Sequence, residues 1–386
     1  MNLNLSTIEA AVLGRTGFVR KDFQLAGRDL VLFDYVYAFP AMFDEAPGLC
    51  ECRGVTFDRH TGEVVSRPYH KFFNAGEIPG TSLDVLDLTA PHVILEKLDG
   101  SMIRVVTVDR DGTVFFGTRM GVTDIALQAA DFVRENPQYA EFCRVMCRAG
   151  YTAIFEWCSR QNRVVIDHPV DRLVLTGVRS MADGTYMKFS EMRALAEKVD
   201  VECVQAFDLN TGDRAAFESY VRGLLDTEGF VIRFENGYMV KVKADDYVAR
   251  HKTLGLLRSE KTLFETMLTG MLDDVLPRFS PADQSRVRDF YERFVQAMDV
   301  RVKECREILA QKYADRKDFA LKVAARHGAS GALFQAFGNP DADLTHLLWG
   351  VMRKPGTVDD PDRIRRILGA PELVWDAGRR ILTGDE

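Results

Sequence analysis

Two kinds of periodicity divide the chain, and the point where one replaces the other constrains the fold most. Up to about residue 244, short runs of β-branched and aromatic residues alternate with turn residues, as in antiparallel sheets. Beyond that point apolar residues recur at helical spacing, over residues 263–276, 281–313 and 318–326. The pattern predicts an α+β fold, with an antiparallel-sheet domain over residues 1–248 and an all-α domain over residues 249–386.

Individual elements follow from the same patterns. Asn236-Gly237 is the strongest turn dipeptide in the chain and predicts a hairpin between its flanking runs. Pro137 is expected to interrupt a helical stretch over residues 124–148. The other predicted strands cover residues 30–37, 52–57, 93–95, 102–108, 113–118, 151–157 and 172–178, and the other helices cover residues 6–13, 189–198 and 215–225.

Composition excludes several classes of protein. No run approaches the roughly 18 uninterrupted apolar residues of a membrane span, and residues 1–6 lack the features of a signal peptide. The seven cysteines form no C-x-x-C pair, which favours reduced thiols in a cytoplasmic protein over a zinc site. The formal net charge is −7, so any site for a polyanion must be a local basic cleft in an acidic surface.

Charged residues recur inside or beside the predicted strands. Lys241 and Lys243 share one strand face, Glu156 lies within an apolar run, Glu228 begins a strand and Lys97 closes one. Each charge alone is explained by an edge strand or a solvent-facing side. Together, two carboxylates and three lysines on one sheet face would suit a nucleoside triphosphate with a metal ion, because ammonium groups bind phosphates and magnesium prefers hard oxygen ligands.

Four of these segments match known motifs in order. They are Lys97-Leu98-Asp99-Gly100, Phe155-Glu156, Glu228-Gly229-Phe230-Val231 and Lys241-Val242-Lys243. In this order they resemble motifs I, III, IV and V of the covalent nucleotidyltransferases, which include ATP-dependent DNA and RNA ligases and mRNA capping enzymes. A lone K-x-D-G has little specificity, whereas four motifs in order with suitable gaps are specific.

Further segments narrow the resemblance to the phage-type tRNA-repair RNA ligases, the RNA ligase 1 family. These segments are residues 51–57, 66–68, 71–74 and 162–165, with Tyr247-Val248 after the last motif. The similarity covers about residues 30–250 and is weaker in the helical tail.

The chain also departs from the family pattern. The residues that flank Lys97 vary within the family. Arg119 stands where a family member carries lysine. The positive charge is kept, but arginine and lysine present different geometries to phosphate, so the sequence leaves the exact contact of Arg119 open.

The resemblance implies a fold, a reaction and a set of roles. The fold is a nucleotidyltransferase domain, and the reaction joins 5′-phosphate and 3′-hydroxyl RNA ends through lysyl-AMP and RNA-adenylate. Lys97 is the implied nucleophile, Lys241 and Lys243 hold the α-phosphate, Glu156 binds the ribose, and Glu228 organises the metal. Of the remaining implied ATP-binding residues, Arg53, Lys71, Arg119 and Tyr35 face the outer phosphates, and Val231 with Phe155 lines the adenine pocket or packs in the core. Asp99 and Gly100 complete the lysine motif, where Asp99 either sets the turn or aids the metal.

Implied ligands and partners follow from the same resemblance. ATP is the substrate, with Mg²⁺ or Mn²⁺ as the metal, and Asp273 and Asp274 are either a second metal site or two exposed acids. The RNA would be a broken tRNA or a single strand, with a polynucleotide kinase-phosphatase acting upstream and the host cytoplasm as the location if a phage encodes the chain. Basic stretches at residues 250–252, 363–366 and 379–380 are RNA contacts or ordinary solvated helix faces.

Two alternatives remain at the level of sequence. The first is another covalent nucleotidyltransferase, a DNA ligase or a capping guanylyltransferase; both normally continue into a β-barrel after the last lysine motif, whereas this chain turns helical. The second is a non-catalytic RNA-binding module of the same fold. Loss of the motif lysines would indicate such a module, and all of them are present.

Overall fold

The computed structural model describes residues 3–15, 17–35, 40–46, 48–276, 279, 281–324, 327–339 and 342–376, except for the side chains of residues 252–254, 256, 273–274, 281–282 and 323–324. The chain divides into two compact units, Met1–Val248 and Ala249–Glu386. In the described part of the chain, no helix has both the length and the apolar character needed to cross a membrane.

Three sheets form the first unit. The first has the order β1-β2-β3-β4, the second β10-β9-β7-β8, and the third β11-β6-β12-β13-β5. Pairing is antiparallel throughout, except between β13 and the short β5. The strands are β1 Phe18–Leu25, β2 Arg28–Tyr35, β3 Val55–Asp58, β4 Val64–Ser66, β5 Phe73–Asn74, β6 His92–Glu96, β7 Ser101–Val108, β8 Val114–Gly117, β9 Tyr151–Cys158, β10 Arg172–Ser180, β11 Ala206–Phe207, β12 Gly229–Phe234 and β13 Met239–Lys243.

Helices pack against each of these sheets. They are α1 Leu5–Val12, α2 Asp124–Glu135, α3 Pro137–Arg148, α4 Phe189–Glu197 and α5 Arg214–Arg222, with 3₁₀ turns at Pro40–Phe43, Leu49–Glu51 and Pro79–Thr81. Thr123 and Asp213 accept backbone hydrogen bonds as N-caps of α2 and α5. Pro137 occupies the first turn of α3, where its missing N–H costs nothing, so the helical stretch divides there as predicted.

The alternation of valine and lysine along β13 determines which face of the third sheet packs against α5 and which face carries the lysines. Val240 and Val242 are buried in a cluster with Phe217 and Val221 of α5. Because successive side chains point to opposite faces, Lys241 and Lys243 lie on the other side. Val231 of β12 pairs with Lys241 and shares that side, which we call the lysine face.

The second unit is helical over its described residues. Helix α6, Asp245–Leu257, begins in the first unit and continues into the second. The cluster that packs the second unit centres on phenylalanines of the long α9, with Phe264 of α7 and Phe319. Its helices are α7 Glu260–Leu268, α8 Leu272–Val275, α9 Pro281–Leu309, α10 Arg316–Phe319, α11 Ser330–Ala336, α12 Leu344–Met352 and α13 Pro361–Leu368, with a π-helical turn at Ala320–Ala324.

The predicted α+β class is confirmed, and the strand predicted over residues 52–57 exists but begins later than predicted. Residues 49–51 form a 3₁₀ turn and β3 begins only at Val55, so Arg53 and Gly54 precede the strand instead of lying inside it. Gly54 has φ +91°, and a Cβ there would lie 2.7 Å from the Arg119 carbonyl oxygen. The chain therefore turns at this glycine, close to a neighbouring backbone, before the strand can start.

Candidate active site

Lys97 is held directly after β6 by its own backbone. Its N–H donates to the Gly229 carbonyl at 2.9 Å, so the residue continues the β6–β12 ladder by one step. The turn that follows is tight: a Cβ on Gly100 would lie 2.4 Å from the Trp157 carbonyl oxygen. Glycine is therefore required there, since no side chain fits between the turn and β9.

Glu228 joins two of the predicted site lysines. Its Oε1 lies 2.7 Å from Lys97 Nζ and 2.9 Å from Lys243 Nζ. The Glu228 side chain is 5% exposed. A buried carboxylate that serves two ammonium groups fixes both of them, and removal of either partner would leave charge uncompensated. This pairing brings the first and last motif lysines to one oxygen atom.

Gly229 lets the chain turn directly into β12 after this carboxylate. It has φ +123°, and an added Cβ would lie 2.1 Å from the Val242 carbonyl oxygen. Only glycine is compatible with that backbone and that close approach. The Glu-Gly pair is thus a structural requirement of the strand start.

Lys241 lies two residues before Lys243 on the lysine face. Its Nζ is 4.6 Å from the centroid of the Phe72 ring, a cation–π contact. Burial, followed by the charges of Arg53 and Lys97, lowers the pKa of the Lys241 ammonium well below its usual value of 10.5. The group is therefore poised to gain an anionic partner, which would favour its charged form.

Glu156 faces the same region from β9. It pairs across the sheet with Met102, whose sulfur lies 3.1 Å from Arg53 Nη1. Burial raises the pKa of the Glu156 carboxyl to about 8, since the attraction of Lys97 is offset by repulsion from Glu228. The carboxyl is therefore mainly protonated at neutral pH and can donate as well as accept a hydrogen bond.

Asp99 is occupied by structural hydrogen bonds. Its Oδ2 accepts from the N–H groups of Val165 and Ile166 at 2.7 and 2.6 Å, and its Oδ1 accepts from the Tyr247 hydroxyl at 2.7 Å. The Asp99 carbonyl oxygen is also 2.7 Å from His168 Nε2. Of the two roles open from sequence, turn-setting and metal-binding, this geometry favours the first.

Arg119 and Tyr35 form a separate group at the end of β2. The Arg119 guanidinium lies 4.5 Å from the Tyr35 ring centroid and 3.5 Å from Asp34 Oδ2. Asp34 is 2% exposed, and burial raises its pKa to about 6 despite the attraction of Arg119. Asp34 was missed from sequence because it reads as one polar residue in an alternating strand; its partner is 85 positions away.

Lys71 lies in an aromatic setting. Its Nζ is 4.8 Å from the Phe73 ring centroid and 5.7 Å from that of Phe43, and 3.8 Å from Glu77 Oε1. It also lies 6.0 Å from the Tyr35 ring. Lys71 therefore shares Tyr35 with Arg119, and the two cations border the same ring.

Arg53 is positioned by a buried ion cluster that sequence reasoning did not identify. Glu51, two residues earlier, pairs with Arg67 and Arg179, each at 2.8 Å. Burial would raise the pKa of Glu51, but the two guanidinium groups lower it to about 2. The Ser66-Arg67-Pro68 segment was quoted only as part of a resemblance, and its arginine proves to anchor the turn before Gly54.

Two expectations fall outside this arrangement. Phe155 is fully buried and packs with Tyr139 and Phe142 behind β9, so it is a core residue and not a wall of the lysine face. The side chains of Asp273 and Asp274 lie outside the described residues. Among the described residues, no group of three or more His, Cys, Asp or Glu side chains is arranged to hold a metal by itself.

Comparison with known proteins decides the family. A family model described as RNA ligase matches residues 51–247, just over half of the chain. The chain belongs to the phage-type RNA ligase family.

Relatives within and near this RNA ligase family have modest identity. A Thermovibrio ammonificans protein provisionally named RNA ligase is 30% identical over 317 residues, covering 78% of this chain and 80% of that protein. RNA ligase 1 of bacteriophage TS2126 is 26% identical over 268 residues, 67% of this chain and 64% of the phage protein. A solved structure of an archaeal ATP-dependent RNA ligase aligns with a TM-score of 0.45 at 16% identity, over 66% of this chain and 64% of that one.

The match to the RNA ligase family spans most of the side chains described above. Lys97, Glu156, Glu228, Lys241 and Lys243 all lie between residues 51 and 247. So do Arg53, Lys71 and Arg119, whereas Asp34 and Tyr35 precede the matched segment.

Proposed function

We propose that this chain is an ATP-dependent RNA ligase that joins 5′-phosphate to 3′-hydroxyl RNA ends through lysyl-AMP and RNA-adenylate. The observation that carries the proposal is the Lys97 ammonium, held with Lys243 on one Glu228 oxygen beside the lysine face. A fixed lysine surrounded by further cations is what attack on a nucleotide α-phosphate needs. Membership of the RNA ligase family supports the same reaction.

Three displacements at phosphorus make up the proposed reaction. Lys97 Nζ loses a proton and attacks the α-phosphorus of ATP, and the bond to pyrophosphate breaks. An oxygen of the RNA 5′-phosphate then attacks the AMP phosphorus and releases the lysine. Finally the 3′-hydroxyl attacks the activated 5′-phosphate and AMP leaves. Each step is an in-line transfer, so positioning and charge neutralisation do most of the work.

The charges near Lys97 divide into two groups with different proposed tasks. Lys241 and Lys243 lie on the lysine face beside the nucleophile and would bind the α-phosphate in every step. Lys71 and Arg119 border the Tyr35 ring and, with Arg53, would bind the β- and γ-phosphates before pyrophosphate leaves. Their separate settings support this division, because Lys243 pairs with Glu228 beside Lys97, whereas Lys71 and Arg119 border the Tyr35 ring.

Val231 and Glu156 are the proposed contacts to the nucleoside. Val231 is half-buried on the lysine face, next to Lys241, and offers an apolar wall for adenine. Glu156 lies on the opposing sheet and would hydrogen-bond the ribose. Its raised pKa fits either direction of that hydrogen bond.

The carboxyl groups present also fit a divalent cation held jointly with phosphate. Glu228 and Glu156 are close enough for Glu228 to raise the pKa of Glu156, and bound Mg²⁺ or Mn²⁺ would relieve that repulsion. Glu228 would hold the metal, which would supply charge neutralisation at the phosphates. Chelation should therefore abolish nucleotide labelling, and added Mg²⁺ or Mn²⁺ should restore it.

RNA repair is the proposed setting, with the helical unit as the RNA-recognition element. The described residues of that unit contain helices in place of the β-barrel that usually follows the last lysine motif in DNA ligases and capping enzymes. Its basic residues include Arg363 and Arg366 on α13. RNA breaks that carry 5′-hydroxyl or 3′-phosphate ends would require a kinase-phosphatase before sealing, and a broken tRNA is the proposed substrate.

The central test is covalent labelling with α-³²P-labelled ATP and Mg²⁺, followed by a denaturing gel. We expect a labelled protein band that is acid-labile and is discharged by pyrophosphate, because a phosphoramidate has both properties. Lys97→Ala should abolish the band, and GTP should give little labelling. Lys198→Ala, an exposed lysine after α4, is the matched control and should label like the wild type.

Each alternative has its own signature in this experiment. Label that survives in Lys97→Ala would contradict the nucleophile assignment. A protein that never labels but binds RNA would support the non-catalytic module. Preferred labelling by GTP would support a capping enzyme.

A further inference from the structure

Asp34 lies at the end of β2, beside Arg119, and takes no part in the steps proposed above. The Asp34 side chain is 3% exposed, whereas that of Arg119 is 32% exposed. The carboxylate is therefore buried, while the guanidinium reaches solvent. A carboxylate this deeply buried cannot contact a nucleotide directly, so an effect on the reaction has to pass through a neighbouring side chain. Arg119, an implied ligand of the outer phosphates, is such a neighbour.

The contact between these two side chains is made at Arg119 Nε. Asp34 Oδ2 lies 3.5 Å from this nitrogen, which is the distance of an ion pair and too long for a good hydrogen bond. The Tyr35 ring centroid lies 4.5 Å from the guanidinium carbon, so the ring borders the same group. Most N–H donors of a guanidinium are on its two Nη atoms. The carboxylate and the ring thus set the direction of the Arg119 guanidinium without depending on its Nη donors.

The backbone holds both partners at one place. The Gly54 N–H donates to the Phe33 carbonyl oxygen at 2.9 Å, directly before Asp34 in the chain. Gly54 also lies so close to the Arg119 backbone that a Cβ there would be 2.7 Å from the Arg119 carbonyl oxygen. The end of β2, the turn after Arg53 and the Arg119 backbone are therefore packed together. This packing places the Asp34 carboxylate at the implied site of the outer phosphates.

The charge on Asp34 has a second candidate partner in Arg104. Burial raises the pKa of Asp34 to about 6, opposed most by the charge of Arg119, so the carboxylate is mostly ionised above pH 7. Arg104 is fully buried, but its Nη1 and Nη2 donate to the hydroxyls of Ser66 and Thr56 at 2.8 and 2.9 Å. Arg104 thus has neutral partners of its own, whereas Asp34 forms a close ion pair with Arg119.

We propose that Asp34 is a positioning residue for the outer phosphates of ATP. It holds the Arg119 guanidinium beside the Tyr35 ring before ATP arrives and leaves the Nη groups to bind phosphate. The inference rests on the ligase reaction proposed above, in which Arg119 binds the β- and γ-phosphates. These phosphates depart as pyrophosphate in the first step. Asp34 therefore affects the reaction with ATP and not the later sealing steps.

Asp34→Asn tests this role, because it removes the charge and keeps the size of the side chain. The ATP concentration that gives half-maximal labelling should rise about tenfold, as expected when a charge-assisted phosphate contact is weakened. The variant should still seal a pre-adenylylated RNA like the wild type, which also shows that it folds. Asp29→Asn, at the partly exposed start of the same strand, is the matched control and should behave like the wild type in both assays.

The two assays separate failure of this inference from failure of the ligase reaction. An unchanged ATP requirement in Asp34→Asn would overturn the positioning role, and so would an equal loss in sealing of pre-adenylylated RNA. Absence of labelling in the wild type would overturn the ligase reaction itself, and the positioning role with it.

A double-mutant cycle tests whether Asp34 acts through Arg119. Asp34→Asn combined with Arg119→Ala should need no more ATP than Arg119→Ala alone, because the pair is already broken in the single variant. Losses that multiply would show that Asp34 acts elsewhere, as through Arg104, and would overturn the proposal.

Should Asp34→Asn fail to fold, Arg119→Lys replaces it. Lysine keeps the positive charge but not the planar group held by the carboxylate and the ring, so Arg119→Lys should raise the ATP requirement and seal pre-adenylylated RNA normally. A wild-type ATP requirement in Arg119→Lys would show that the direction of this group does not matter, and would contradict the role of Asp34.

Discussion

Single side chains near Lys97 differ in what holds them, and this difference predicts when each is needed. Lys243 is paired with Glu228 beside Lys97, whereas Lys71 is surrounded by the rings of Phe73 and Phe43. A group beside the α-phosphate stays in use through every step. A group that binds the outer phosphates is used only until pyrophosphate departs.

Step-resolved assays should separate these two classes of residue. Lys71→Ala and Arg53→Ala should slow the reaction with ATP by roughly a hundredfold, the effect of losing one transition-state contact of about 3 kcal/mol. Both should seal a pre-adenylylated RNA nearly as fast as the wild type, while Lys243→Ala should fail in both assays. An equally slow Lys71→Ala on pre-adenylylated RNA would show that this lysine also contacts the RNA ends.

Glu156 predicts a pH dependence of stability. Its pKa is about 8 in the folded chain against an ordinary value of 4.5, so between pH 5 and 8 the native state retains a proton that the unfolded state releases. Stability contributed by this proton therefore falls as pH rises through that window and levels off above it. Because the Glu156 side chain is partly exposed, the free energy of unfolding falls by about 1 kcal/mol per pH unit or less.

Glu156→Gln removes this titration. Urea denaturation at pH 5, 6, 7 and 8 should show the variant gaining stability relative to the wild type as pH rises. Glu141→Gln, at an exposed site on α3, is the control and should parallel the wild type at every pH. A constant difference between Glu156→Gln and wild type across the range would contradict the raised pKa.

At the scale of elements, Asp99 ties three segments together. Its carboxylate accepts hydrogen bonds from the backbone N–H groups of residues 165–166 and from the hydroxyl of Tyr247 in the first turn of α6. Tyr247→Phe should lower the free energy of unfolding by about 2 kcal/mol, because a buried hydrogen bond to a charged group is lost. Tyr220→Phe on the exposed side of α5 should change it by less than about 0.5 kcal/mol. Similar losses in both variants, measured by urea denaturation, would show that the Tyr247 bond contributes little.

Local patterns predicted the elements whose determinants are local. Asn236-Gly237 determines a turn by itself, and the Val-Lys alternation of β13 determines which side chains share a face. Both the hairpin and the lysine face were therefore predicted from the sequence. Residues 52–57 also alternate, yet the turn at Gly54 depends on a close approach to Arg119 that no local pattern reveals. Asp34 and the Glu51 ion cluster were missed for the same reason, since their partners are distant in sequence.

For the whole molecule, every proposed nucleotide contact lies in the first compact unit. A chain ending after residue 257, which retains all of α6, should therefore still label with ATP. It should lose more activity on a nicked RNA stem-loop than on plain single strands, by roughly tenfold or more if several phosphate contacts are removed. Gel assays of both substrates measure the ratio. Equal losses would assign the helical unit to structural support.

The single Glu228 oxygen shared by Lys97 and Lys243 also sets a local balance of charge. The free trio carries one net positive charge. A phosphoramidate at Lys97 would remove one ammonium and add its own single negative charge, so the trio would become net negative. The occupied site would then repel a second triphosphate and attract cations. The adenylylated chain, two charges more negative than the formal −7 of the free one, would be retained longer on an anion-exchange column.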